Sequence, residues 1–204
     1  MPPHPPRASR PVTVTDFRVG GTDRPEKLAI VAHRRTHLQS DGVTGFLVRI
    51  PRPDEAAAIA DLHLRTWAEV YAGRFPPSAW GEEARVDRLV QWKSICAKPT
   101  PDFHAVVAES EGELIGFAGA GRNTDRPPPR GRQLRFIYLL AHMQGSGAGQ
   151  ALLDEVLGDD PASLWVLEGN LRARSFYVRN GFAHDGTRQP TGFADSGDEI
   201  RMVR

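Results

Sequence analysis

One stretch of the chain has residue types and a spacing suited to holding an anion. Gln144-Gly145-Ser146-Gly147-Ala148-Gly149 follows the apolar run Leu134 to Leu140 and precedes Ala151, Leu152, Leu153, Val156 and Leu157, which recur at helical spacing. Glycines at 145, 147 and 149 remove side chains where a ligand must approach the main chain. In a strand–loop–helix arrangement the loop amides and the helix start point at one place, which suits a pyrophosphate. The same residues also make a tight turn that holds nothing. Two familiar phosphate loops are disfavoured. A Walker loop ends in Gly-Lys-Ser/Thr, whereas this one ends Gly149-Gln150. A dinucleotide fingerprint sits on the first strand of a βαβ unit, whereas this loop comes late, after a hairpin.

The elements that position the loop can be read on either side of it. Phe46 to Ile50 reads as a short strand, and Pro53-Asp54-Glu55 opens a helix carrying Ile59, Leu62, Trp67, Val70 and Tyr71. A second helix spans about Glu82 to Ala97. Phe103 to Ala108 and Leu114 to Ala118 form a hairpin turning at Glu111-Gly112. Residues 122–132, rich in Pro and Arg, form a loop. Leu134 to Leu140 reads as a buried central strand. Beyond the glycine-rich loop and its helix come a strand at Ser163 to Leu167, a helix from Leu171 to Asn180, and two strands, one from Phe182 and one at Glu199 to Val203. Asn170 caps the second of these helices and Gly181 ends it. The order β α α β β β α β α β β describes an α/β (α+β) fold: a mixed central sheet of about seven strands with helices on both faces.

Composition narrows the class. The chain has 204 residues, is 40% hydrophobic and carries a formal net charge of +1. That size suits one domain with a tail. The near-neutral balance gives no reason to expect a nucleic-acid partner. No apolar run approaches the roughly 18 residues of a membrane span, and no secretory signal is expected. Cys96 is the one cysteine, which fits a reducing cytoplasm. The seven histidines are scattered, so no metal site is expected. Residues 1–44 hold six prolines and seven Lys/Arg against four Asp/Glu, with helical character only at Leu28 to His33. They are expected to be mostly disordered, which leaves residues 45–204 as the domain.

Taken together, these residues resemble the GNAT N-acetyltransferase superfamily. Gln144-x-x-Gly147-x-Gly149 matches its Q/R-x-x-G-x-G/A pyrophosphate loop. Trp165 to Asn170, Ala173, Phe176-Tyr177 and Gly181-Phe182 look like its fifth strand and following helix, and Arg65-Thr66-Trp67 to Tyr71-Ala72-Gly73 resembles its first helices. The resemblance covers roughly residues 45–204. It implies acetyl-CoA as co-substrate, no metal, and direct transfer to an amine of a small molecule or peptide, with homodimers common among relatives. Main-chain groups of Ile137, Tyr138 and Leu139 are expected to hold the pantetheine arm and thioester. The amides of Gln144, Gly145, Ser146, Gly147, Ala148 and Gly149 are expected to cradle the pyrophosphate, and Asn170 and Tyr177 to face the sulfur end. Many relatives carry Glu where this chain has Gln133, which cannot act as a base. The loop position often held by Arg is Ser146.

The implied reaction sets three needs. An alkylamine with a pKa of about 10.4 is almost wholly protonated at neutral pH, and reaching its neutral form costs about 4–5 kcal/mol. Glu168 is the nearest candidate base, with His104 and His142 behind it; Glu168 also reads as a solvated strand end or a helix-capping partner. The Leu139 amide is the expected oxyanion donor. Tyr177 is the expected acid for the departing thiolate, against a plain reading as a core tyrosine. Cys96 reads as packed rather than as an acyl carrier. Trp67, Tyr71 and Trp80 line an acceptor pocket or belong to the core, and the loop Arg122 to Arg132 guards its entrance or is merely solvated. A non-catalytic acyl-CoA-binding module and an unrelated nucleotide-binding α/β protein are the competing readings.

Overall fold

The computed structural model describes residues 35–37, 45–98, 100–191 and 197–204, the side chains of 35–37 excepted. The strands are β1 (Arg35–His37), β2 (Phe46–Arg49), β3 (Phe103–Ser110), β4 (Glu113–Arg122), β5 (Arg132–Leu139), β6 (Ala162–Leu167), β7 (Ala183–Pro190) and β8 (Asp198–Val203). The helices are α1 (Ala56–Tyr71), α2 (Glu82–Ala97), α3 (Ala148–Leu157) and α4 (Leu171–Arg179). The strands form one sheet in the order β1-β2-β3-β4-β5-β6-β8-β7. Every described neighbouring pair is antiparallel except β5 and β6, which the crossover through α3 makes parallel.

The expected order of elements is the observed one from β2 onward, with β1 added at the sheet edge. That short strand lies inside the segment expected to lack order. The helical piece Leu28 to His33 lies outside the described residues. Strand alternation splits the core into two layers. On β3, Val106 and Ala108 face one way and Ala105 and Val107 the other. The first layer packs under α3 and α4 through Leu152, Leu153, Val156 and Tyr177, and the second under α1 and α2 through Ile59, Leu62 and Trp92. The helices therefore cover both faces. Cys96 is buried in the second layer, and burial pushes its thiol up to about 11, as befits a packed residue.

The start of α1 is fastened to the sheet by a buried charge cluster. Arg49 of β2 donates to Glu55 at 2.8 Å and to Glu109 of β3 through Nε at 2.9 Å. Glu55 also accepts the Arg52 amide at 2.6 Å. Burial works to raise the Glu55 carboxyl, but Arg49 and the Arg52 amide outweigh it and hold the group below its ordinary range. Removing one partner of such a pair strands a buried charge, so Glu55→Ala is expected to lower unfolding free energy by about 3 kcal/mol in urea titrations at pH 7. The folded carboxyl binds fewer protons than the unfolded one, whose pKa is about 4.3. This contribution is therefore whole above that pH and is lost as pH falls through the depressed folded value. The gap between wild type and Glu55→Ala should close over that acidic window; a gap independent of pH would refute the pairing.

Candidate active site at the parted strands

The two parallel strands stay together only briefly. β5 pairs with β6 at Arg132↔Ala162, Gln133↔Ser163 and Leu134↔Leu164, and there the ladder stops. β5 runs on to Leu139 against β4, and β6 runs on to Leu167 against β8. The parting coincides with a bulge. Gly119 of β4 faces Phe136 and Ala120 faces Leu134, which leaves Arg135 as the extra residue of β5. A Cβ on Gly119 would stand 2.6 Å from the Phe136 ring, so only glycine lets that ring lie across β4. Beyond the bulge, Phe136 and Tyr138 pack toward α1 and α2, and Ile137 and Leu139 toward α3 and α4. Leu134 is buried as expected, but residues 135–139 are only half-buried because the strand there borders the gap.

The glycine-rich loop sits at the end of β5. A short 3-10 turn, Ala141–Met143, leads into it, and α3 starts at Ala148. Gly145 (φ 93°) and Gly147 (φ 86°) are left-handed, which other residues adopt only with strain. Ser146 is buried. Its amide donates to Met143 O at 3.2 Å, and its Oγ accepts the Ala148 amide at 3.3 Å. The serine found where relatives often have arginine therefore braces the loop from within and takes up the Ala148 amide. The amides of Gly145, Gly147, Gly149 and Gln150 have no acceptor among the described residues. Four unpaired donors at the positive end of a helix form a ready anion site.

The end of α1 is tied to both sides of the gap. Glu69 accepts the Ala141 amide at 2.9 Å, just past β5. Arg74 lies against Gly169, just past β6, where a Cβ would stand 2.8 Å from its guanidinium. Between these ties, the Tyr71 hydroxyl lies near Tyr138, Asn170 and Glu199. Burial raises Tyr71 and Tyr138 above the ordinary phenol range. Burial and the neighbouring Tyr71 do the same to Tyr177, so all three are protonated at neutral pH.

The candidate residues group unequally. Asn170 caps α4, its Oδ1 accepting the Ala173 amide at 3.1 Å, and Tyr177 is buried further along the same helix. Tyr71 lies near both, and its ring packs on Trp67 and Phe75. Glu168 lies just past β6, but its carboxylate is paired with Arg188 at 2.7 Å. His104 is near Glu155 and Arg132, at the opposite end of β5 from the gap, and burial lowers its pKa. His142 is exposed in the turn after β5. Gln133 is buried with Oε1 unpartnered, while its Nε2 donates to Asp125 at 3.4 Å. Asp125, from the loop read as solvated or as an entrance guard, also accepts from Trp165 at 3.2 Å and pairs with Arg201 at 3.3 Å. Sequence carries no signal of that convergence, because the partners lie 8 to 76 positions away.

Another residue passed over is His63. It is buried among Trp67, Trp92, Phe117 and Tyr138, with Nδ1 accepting the Trp92 indole at 3.3 Å. Its position on the apolar face of α1 was the available signal. His33 and His37 are four apart, but His37 is in a strand and residue 33 lies outside the described residues. Among the described residues there is no group of three or more His, Cys, Asp or Glu able to hold a metal, and no helix long and apolar enough to cross a membrane.

A mixed sheet with parted parallel strands and a free-amide loop between them defines a class, and comparison with known proteins names it. The model of the family described as Acetyltransferase (GNAT) family matches residues 56–182, and the chain belongs to that family. A probable N-acetyltransferase of Mycobacterium tuberculosis is 26% identical over 151 residues, 68% of this chain and 80% of the relative. A second N-acetyltransferase of that organism, of uncharacterised role, is 35% identical over 105 residues, 48% of this chain and 65% of the relative. Among solved structures, the PaiA N-acetyltransferase of Thermoplasma acidophilum, in complex with coenzyme A, superposes with a TM-score of 0.54 at 20% identity, covering 77% of this chain and 97% of that one. YncA of Salmonella typhimurium, solved with acetyl-CoA, gives 0.57 at 18% identity, covering 78% and 92%. At these identities the structures establish the shared fold.

Burial, and secondarily Arg88, holds the His63 imidazole well below its ordinary pKa. The folded chain therefore binds fewer protons here than the unfolded chain does below about pH 6.5. Stability from this site should be whole above that pH and decline as pH falls below it. In histidine NMR titrations the His63 ring should keep its neutral shifts well below about pH 6.5; ordinary titration would show that the ring is not buried in this way.

Proposed function

We propose that the chain moves the acetyl group of acetyl-CoA directly onto the primary amine of a small molecule or peptide, and that residues 45–204 are the domain that does so. The observation that carries this reading is the line of unpaired main-chain donors at Gly145, Gly147, Gly149 and Gln150, set at the end of the gap between β5 and β6. A diphosphate satisfies those donors, and an extended pantetheine arm takes the place of the missing strand partner beside Ile137, Tyr138 and Leu139. The Leu139 amide is the oxyanion donor. Tyr177, protonated and buried, hands its phenolic proton to the departing sulfur. Asn170 holds the start of α4 so that Tyr177 faces the gap. For Glu168 to take the amine's proton, Arg188 would have to give way. The single buried cysteine suits a reducing compartment such as the cytoplasm.

The test is calorimetry with coenzyme A followed by thiol release over a panel of primary amines. The full chain should take up coenzyme A and release thiol only when an accepted amine is present. Gly147→Val should weaken uptake by straining the loop. Tyr177→Phe should leave uptake intact and lower kcat about 100-fold. Uptake without turnover on any amine would favour a non-catalytic acyl-CoA-binding module. No uptake at millimolar coenzyme A would end the proposal.

A further inference from the structure

This inference rests on the acetyl-transfer reading and concerns the group that takes the amine's proton. Gln133 is an amide, and Glu168 is engaged by Arg188. Glu199 is placed differently. It stands on β8 opposite Leu167, the last residue of β6, and opposite Gln189 of β7. Ile200 and Met202, its neighbours on β8, pack in the layer beneath α3 and α4. Alternation therefore turns Glu199 to the other face, where the Tyr71 hydroxyl feels its charge. The hydrogen bond it accepts comes from Gln189 Nε2 at 2.9 Å, and it forms no ion pair among the described residues.

The charged groups on the surrounding elements are engaged elsewhere. Arg188 of β7 pairs with Glu168, Arg201 of β8 pairs with Asp125 and Asp185, and Arg74, after α1, lies on Gly169. Burial raises the Glu199 carboxyl above the ordinary range, and the amide of Gln189 offsets this only in part. A half-buried carboxylate without a cation costs stability, and its compensating property is basicity. Of these three carboxylates, Asp125 is paired with Arg201 and Glu168 with Arg188, while Glu199 has a neutral partner.

We propose that Glu199 is the general base of the acetyl transfer. An acceptor arriving as an ammonium gives its first proton to Glu199, which passes it to solvent. The nitrogen lone pair bonds the acetyl carbon, the C–S bond breaks, and its electron pair leaves on sulfur. Sulfur takes the phenolic proton of Tyr177. Glu199 takes the second N–H proton and passes it to solvent, and solvent returns one proton to Tyr177. The products are the amide, the thiol and one proton, and every protein group is restored.

Two measurements on the full chain test this. In the acceptor-free chain, carbon NMR of labelled glutamate should show Glu199 titrating above the free value of about 4.3. With an amine accepted in the thiol-release panel, Glu199→Gln should lower kcat at least about 100-fold and abolish the acidic limb of the pH profile while leaving coenzyme A affinity unchanged. Glu199→Asp should retain part of the rate. The proposal is overturned if Glu199 titrates like free glutamate, if Glu199→Gln stays within about twofold of wild type, or if Glu168→Gln causes the larger loss. Failure of the underlying reading looks different, because wild type itself would then take up no coenzyme A.

Discussion

Main-chain polar groups removed from water must find partners, and β5 is built so that part of its edge does not find them in the protein. A parallel strand inside a sheet ordinarily exchanges hydrogen bonds on both sides. Here the partner on one side is lost after Leu134, although both strands continue. Closing the gap would restore a ladder, so something must hold it open. The Arg135 bulge bends β5 away, and Phe136 wedges across Gly119 to fix the bend. The edge left beyond the bulge resembles that of a sheet awaiting one more strand, the situation in which extended ligands bind.

The helices set the ends of that opening. α3 continues β5 through the glycine loop, and its apolar face, Ala148, Leu152, Leu153 and Val156, is buried against the sheet. Its position is therefore fixed by packing, which leaves the amides of Gly145, Gly147, Gly149 and Gln150 free of structural duty among the described residues. α1, packed on the opposite face of the sheet, fastens to Ala141 and Gly169, just past β5 and β6. These two ties hold the parted strands at a set distance, a stiff arrangement that lets donors wait in position rather than reorganise during reaction.

Much of this was legible in the sequence because local patterns carry it. The helix boundaries of α2, the capping by Asn170 and the loop from Gln144 to Gly149 follow from short-range chemistry that a strand–turn–helix pattern displays directly. The parting of β5 and β6 has no local signal, because Leu134 to Leu140 reads as a continuous buried strand whether or not it has a neighbour on each side. Least legible were the side chains that act at a distance. Tyr71 reads as core at helical spacing, and nothing local tells that it lies near Tyr138, Asn170 and Glu199. The same holds for Asp125, which reads as loop until β8 and β6 bring Arg201 and Trp165 to it.

Unmet polar atoms beside the gap differ in kind. At the loop end they are main-chain donors, alike in kind and gathered in one short loop, which suits a charged group recognised by amides rather than by side-chain identity. Toward α1 the unmet atom is a side-chain donor, Trp67 Nε1, set among the rings of His63, Tyr71, Phe75 and Tyr138 with Arg88 stacked 5.0 Å over Trp67. An aromatic wall with few polar atoms discriminates by the partner's chemistry, because a buried donor or acceptor left without a mate costs about 1–3 kcal/mol. The loop therefore fits a part common to a whole family of enzymes, and the aromatic wall fits a part particular to this chain. Because β5 borders both, whatever occupies one is aligned along the same strand with whatever occupies the other.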